Sequence, residues 1–417
     1  MSWKTYTLDE CISLRSGSTP SKQNPSFWNG TIPWASSKEL KQLRLYNTES
    51  RVTQEAIKSA SSVINKGTVL IVVRGMVLAK EFPVSIAQVN MTFNQDLKAV
   101  DPKGTVIDRS FLPYLLLGHR EGLRSLADEA AHGTKRIQTD RLLAYKVEVP
   151  SPEVQRRIAS ILSAYDELIE NNTRRVEILE EMARRLYEEW FVQFRFPGHE
   201  GVEFTDSSLG LIPKGWSVVK LEEICDLITD GAHKSPPTAE TGMPMASVKD
   251  MHDWGIDVSK CRKISRSDYD ELVRNNCKPM IGDVLVAKDG SYLKHIFSVG
   301  KDQDFVLLSS IAILRPINKS VSDLLVCLLR HPETIARMKG CVSGVAIPRI
   351  ILKDFRKFQV VLPSQDLQEA WLATASPLMR LCRKLVDKNA NLRAQRDLLL
   401  PKLISGEIDV TDIPMPT

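Results

Sequence analysis

The chain writes out its framework twice. Trp3 matches Trp216, Leu8 matches Leu221, Arg136 matches Arg349, Ile137 matches Ile350, Pro150 matches Pro363, Ser151 matches Ser364 and Gln155 matches Gln368, each at an offset of 213 residues. The register continues through Leu168/Leu381, Leu179/Leu392 and Leu186/Leu399. Between these anchors the offset drifts to 211 at Pro33/Pro244 and Lys38/Lys249, and to 215 at Gly67/Gly282, Leu70/Leu285 and Gly75/Gly290. Solenoid repeats recur every few tens of residues, so a period this long describes two whole domains. With 417 residues, 43% of them hydrophobic, each copy has enough chain for its own core.

A net charge of +5 permits a polyanionic partner without requiring one. The seven cysteines are scattered and never form a C-x-x-C pair, which argues against a disulfide framework or a zinc site and for a reducing compartment. Met1 to Thr5 is polar, without a secretory signal, and Val69 to Val73 is at most a buried strand, far short of a membrane span. The expectation is a soluble cytoplasmic protein.

Each copy opens on a Trp-containing segment, passes through Gly- and Pro-punctuated β-rich runs such as Thr68 to Val73 and Asp283 to Ala287, and closes on an extended segment ending in Pro150 or Pro363. A long helix then follows. The spacing of Ile161, Tyr165, Leu168, Asn172, Leu179, Met182 and Leu186 predicts a helix from about 152 to 194 with a heptad seam. Leu378, Leu381, Leu385, Leu392 and Leu399 form the matching seam of the second copy, expected to begin only after Pro377. Two narrow apolar seams bury one another most economically. At about 1.5 Å per residue, a helix of some 40 residues spans roughly 60 Å. Asn172 is either a buried amide that needs a partner and fixes register, or a residue at a solvated seam edge. The clustered aromatics from Trp190 to Phe194 read as packing, and the segment from Phe196 to Gly210 as a turn-rich linker.

Motifs of catalysis are missing. There is no phosphate loop, dinucleotide turn, H-E-x-x-H or nucleophile elbow, and no histidine stands at metal-ligand spacing. Asn24-Pro-Ser-Phe27 falls one proline short of the tetrapeptide of DNA amino-methyltransferases, and reads as a turn.

Gly17-Ser-Thr-Pro-Ser21, Trp28-Asn-Gly30 and Ile32-Pro-Trp34 resemble the opening of a target-recognition domain from the specificity subunits of type I restriction-modification enzymes. Asp230 to Pro236 and Pro244 to Asp250 resemble another variety of it. Gly67 to Leu70, Asn94 to Asp96, Gly282 to Leu285 and Ser309-Ser310 fit the family's middle. Val149 to Ile158, Leu209 to Trp216 and Leu403 to Glu407 are similar to its junctions, while Leu367-Gln-Glu369 departs from the Gln-Arg-Arg-Ile run of the first copy. The order of these weak motifs, repeated with a helix after each, carries the resemblance from Trp3 to Glu407.

The resemblance implies an α/β (α+β) fold: two similar target-recognition domains in pseudo-twofold tandem, separated by two long helices packed as an antiparallel coiled coil. The expected boundaries are 1–150 for the first domain, 151–195 for the central helix, 196–213 for a linker, 214–363 for the second domain, and 364–417 for the C-terminal helix and tail. A non-catalytic reader of double-stranded DNA is implied, with two modification (methyltransferase) subunits and two restriction (motor and nuclease) subunits as partners and no membrane. Cofactors would belong to those partners: S-adenosylmethionine, ATP and magnesium, none held by this chain. The competing reading is a two-domain protein-interaction scaffold without sequence preference.

Phosphate contacts need cations and flexible donors, while base reading needs Arg, Gln, Asn or short hydroxyls aimed into a groove. Arg15, Ser18, Lys22, Gln23 and Asn24 form one such loop, Ser36, Ser37 and Lys38 another, and Arg74, Lys135 and Arg136 lie at further turns. His233, Lys234, Ser235, Lys249, Lys288 and Arg349 hold comparable places in the second copy. Lys38/Lys249 and Arg136/Arg349 recur, which points to a shared job, either phosphate positioning or a structural hydrogen bond. Unequal loops on equal frameworks predict an asymmetric site of two unlike halves, with an unread spacer of about one helical turn, roughly 34 Å.

Overall fold

The computed structural model describes residues 3–60, 63–129, 133–344 and 348–413; Met1, Ser2 and the last four positions of the expected tail lie outside them. The chain packs as two units, one of residues 1–169 with 391–417 and one of residues 170–390.

In the first unit the sheet order is Ile12–Ser16, Leu97–Pro102, Val69–Val72, Val84–Ala87 and Arg44–Leu45. Val69 to Val72 is buried at every position, so both faces of this central strand are covered and alternation is absent from its sequence. Removing a Val, Leu or Ile side chain from water contributes about 1.5–3 kcal/mol, which makes such a run the natural centre of a core. The second unit repeats the order with Cys225–Asp230, Ile311–Pro316, Val284–Ala287 and Ile296–Ser298. A parallel pairing also recurs, Trp34 opposite Thr92 in one copy and Met245 opposite Val306 in the other.

The recurrent residues have recurrent jobs. Lys4–Thr7 pairs antiparallel with Lys146–Val149, and Ser217–Lys220 pairs in the same way with Gln359–Leu362. Leu8 and Leu221 are fully buried, and their N–H groups donate to Tyr145 O and Phe358 O. Gln155 and Gln368 each fold back, Nε2 donating to the carbonyl of the proline five residues earlier, at 2.9 Å on Pro150 and 2.8 Å on Pro363. This clasp holds the corner where a strand becomes a long helix.

The first long helix runs Pro152–Tyr187 and continues as a π-helical turn, Glu188–Val192. Its inward face differs from the expected seam. Val154, Ile158, Leu162, Asp166, Ile169, Asn172, Val176, Ala183 and Tyr187 are buried; Ile161, Tyr165, Leu179 and Leu186 flank them, while Leu168 and Met182 are 39% and 50% exposed. Large apolar residues outside the contact share the same spacing, and the inward Asp166 and Ala183 gave no hydrophobic signal. The second helix, Gln365–Ile404, buries Trp371, Ala375, Met379, Cys382, Leu385 and Asn389, with Leu378, Leu381, Leu392 and Leu399 partly covered. It runs through Pro377, contrary to the expected restart. Pro377 and Ala373, whose carbonyl loses its donor, both face solvent, where an unmade backbone bond costs least.

Within the second unit the helices run antiparallel: Cys382 Sγ lies 3.7 Å from Val176 O, and Asn389 meets Asn172. Asn172 is 1% exposed, and its Nδ2 donates to Asn389 Oδ1 at 2.9 Å, so it is the buried amide of the two alternatives. Within the first unit Asp166 accepts from Tyr114 Oη at 2.9 Å and forms an ion pair with Arg396. The aromatic run of the helix end packs edge to face, Phe191 and Phe194 against Trp216. The expected linker contains a hairpin, Phe204–Ser207 with Gly210–Pro213, closed by a turn that uses Gly210 at φ +100°.

Candidate nucleic-acid interface

Three loops of the first unit meet at one cleft of about 810 Å³. Gly17 brings the first loop in: its neighbour Ser18 donates its N–H to Phe93 O at 2.9 Å and accepts from Trp34 Nε1 at 3.1 Å. Trp28 Nε1 donates to Ser21 O, and the two indoles stack edge to face with centroids 5.3 Å apart. Trp28 and Trp34 therefore give the cleft an aromatic wall, with Lys22, Ser36, Ser37 and Lys38 along its rim. Asn94, Gln95 and Asp96 complete it, Gln95 Oε1 accepting from Thr19 Oγ1 at 2.7 Å. Aromatic faces, amides and cations in one depression form a surface suited to a base edge beside a phosphate chain.

The loop bearing Lys38 is built the same way in both copies. Glu39 accepts from the Ser36 N–H and hydroxyl, as Asp250 does from those of Ser247. Each carboxylate closes its turn and turns the intervening lysine outward. Lys38 meets Glu49 at 2.6 Å, a hydrogen bond that raises its pKa, whereas Lys249 is exposed without an ion pair among the described residues.

The remaining candidates separate into free and occupied groups. Gln23 and Lys234 are exposed; Asn24 caps a turn by accepting from the Ser26 N–H and hydroxyl. Arg15 sits on a strand and pairs with Asp101 at 2.8 Å, away from the cleft lining. His233 lies 3.1 Å from Asp230, and Ser235 accepts from Arg262 at 2.7 Å. Lys135 pairs with Glu129 at 3.5 Å, while Arg74, Arg136 and Arg349 are exposed on short strands. Lys288 corrects the expectation made for it: it is buried, held at 3.2 Å from Asp230 and 3.1 Å from Asp289, which leaves no face for DNA. Sequence reasoning also passed over Thr19, Trp28, Trp34 and Asn94 to Asp96 as site residues. Their signal was membership in the motifs, not charge.

Among the described residues no group of three His, Cys, Asp or Glu side chains is placed to hold a metal, and no helix is long and apolar enough to cross a membrane. What stands out is a duplicated α/β domain that presents polar, cationic loops on a repeated frame. The pattern of the type I restriction modification DNA specificity domain matches residues 1–181 and again 213–390, and the chain belongs to that family, whose role is DNA sequence specificity. It is 26% identical over 424 residues to the type I restriction enzyme MjaIX specificity subunit of Methanocaldococcus jannaschii, covering 99% of this chain and 94% of that protein. It is 32% identical over 204 residues to the EcoR124I/EcoR124II specificity subunit of Escherichia coli, covering 48% of this chain and 50% of that one. The crystal structure of the type-I restriction-modification S subunit from M. genitalium matches over 96% of both chains with a TM-score of 0.59 at 18% identity, a likeness of fold.

Proposed function

We propose that this chain reads an asymmetric, two-part duplex sequence, one part with each domain, as the non-catalytic specificity subunit of a cytoplasmic type I restriction-modification complex. Two modification subunits and two restriction subunits dock on it and hold the S-adenosylmethionine, ATP and magnesium. The observation that carries this reading is the contrast between frame and loops. Strands, corner clasps and lysine turns recur, yet the position of Trp34 is taken by Met245. Lys38 is paired, whereas Lys249 has no ion pair among the described residues. Equal frames with unequal chemistry suit two unlike half-sites.

The test is binding of the chain, assembled with its modification subunit, to a randomised duplex library. Enrichment of one bipartite, non-palindromic sequence is expected. A flat profile would sink the proposal and leave the protein-interaction scaffold.

A further inference from the structure

In the first unit, Arg136 on Lys135–Arg136 stands directly opposite Arg74 on Arg74–Gly75 in antiparallel register. Directly opposed residues project from the same face with Cβ atoms about 4.5–5.5 Å apart, and like charges in that position destabilise a sheet. The third residue of the row is Asp128, opposite Arg136 on the other side. It does not relieve the repulsion, because its carboxylate is occupied by Arg141 at 2.7 and 2.8 Å. Among the described residues neither Arg74 nor Arg136 has an ion pair or a side-chain hydrogen bond, and both are exposed.

The rung is fixed in place. Val73 and Arg74 donate their N–H groups to Asp96 O at 2.9 and 3.2 Å, and Ile137 donates to Val73 O at 2.8 Å. Asp96 also lines the cleft, so the backbone that carries the two arginines is tied to its edge. The second unit is built differently at the same place. There the bridge partner of Arg349 is Asp289, whose carboxylate lies 3.1 Å from Lys288. One copy has arginine facing arginine, the other arginine facing aspartate.

We propose that Arg74 and Arg136 form a clamp for one backbone phosphate of the duplex, present in the first domain and absent from the second. This rests on the DNA-reading function proposed above. Guanidinium forks match phosphate oxygens bidentately, and an anion between two opposed forks removes the repulsion that the free protein tolerates. The clamp positions the first domain on DNA and carries no base information.

The experiment measures affinity for the selected duplex and for a scrambled one as salt is varied, using the complex with the modification subunit. Arg74→Gln/Arg136→Gln is expected to lower the slope of log K against log salt by about one, the value of one released phosphate contact. Both duplexes should weaken by the same factor. An unchanged slope, or a loss confined to the selected duplex, overturns the clamp. Arg349→Gln should move the slope less than Arg136→Gln, and an equal change overturns the asymmetry. Both substituted positions are exposed, so an unchanged or raised Tm is expected for the double variant; a lowered Tm would show a structural role and overturn the clamp. If the unsubstituted complex prefers no duplex, the functional reading itself fails; preference with an unchanged slope removes the clamp alone.

Discussion

A methyl group added at Gly17 would stand 2.1 Å from Phe93 O, and one at Gly231 would stand 2.1 Å from Leu307 O. Neither of these contacts is with a flexible side chain; in both places a loop crosses the backbone of a short strand. Gly17→Ala is therefore expected to cost about 3 kcal/mol, a fall of roughly 6–12 °C in Tm for a domain of this size. Gly340 has open space around its α-carbon, and Gly340→Ala should leave the melting curve in place. If the two variants melt alike, the close approach is not what holds Gly17. The turn at Gly17 was legible in the sequence as part of a Gly-Ser-Thr-Pro motif. Its cause was not, since it depends on Phe93, which is remote in the chain. Lys288 failed for the opposite reason: a lysine after a buried strand reads as a surface cation until Asp230 and Asp289 are brought against it.

At the scale of an element, the helix pair of the second unit turns on a buried pair of amides in an apolar seam. Asn172 and Asn389 are 1% and 3% exposed, and Asn389 Nδ2 also donates to Thr173 Oγ1 at 3.1 Å. Asn172→Leu removes the amide that Asn389 meets in a buried place, a loss of about 2 kcal/mol. Asn172→Leu/Asn389→Leu removes both partners and should recover more than half of it in thermal melts. A double variant less stable than the single one would show that the amides act separately. Asn172 was conspicuous in the sequence because leucines surround it. Asn389 ends a run of polar residues, Asp387 to Asn389, and offered no contrast. The same blindness displaced the seam, because periodicity records which residues are apolar, whereas the contact is defined by which ones face inward, Asp166 and Ala183 among them.

For the whole molecule, the proposed function and the repeated frame together predict that each domain can be exchanged as a reader. Replacing residues 1–150 with another domain of the family should change one half-site of the methylated sequence and leave the other, as mapped by adenine methylation in a host genome. A change in both halves would end the modular reading. The graft must also keep a smooth back: a methyl at Gly118 would come within 2.7 Å of Ile404, and Trp3 packs against Gly406. That docking has a consequence in time. The second unit is one continuous stretch of chain, 170–390, whereas the first is incomplete until residues 391–417 are added. At 5–20 residues per second, roughly ten to forty seconds of synthesis separate its two parts. The domain begun first on the ribosome is the last to close, and until then the surface meant for Leu400, Leu403, Ile404 and Val410 stands open. A chain cut short near its end would release a finished second unit joined to an unfinished first.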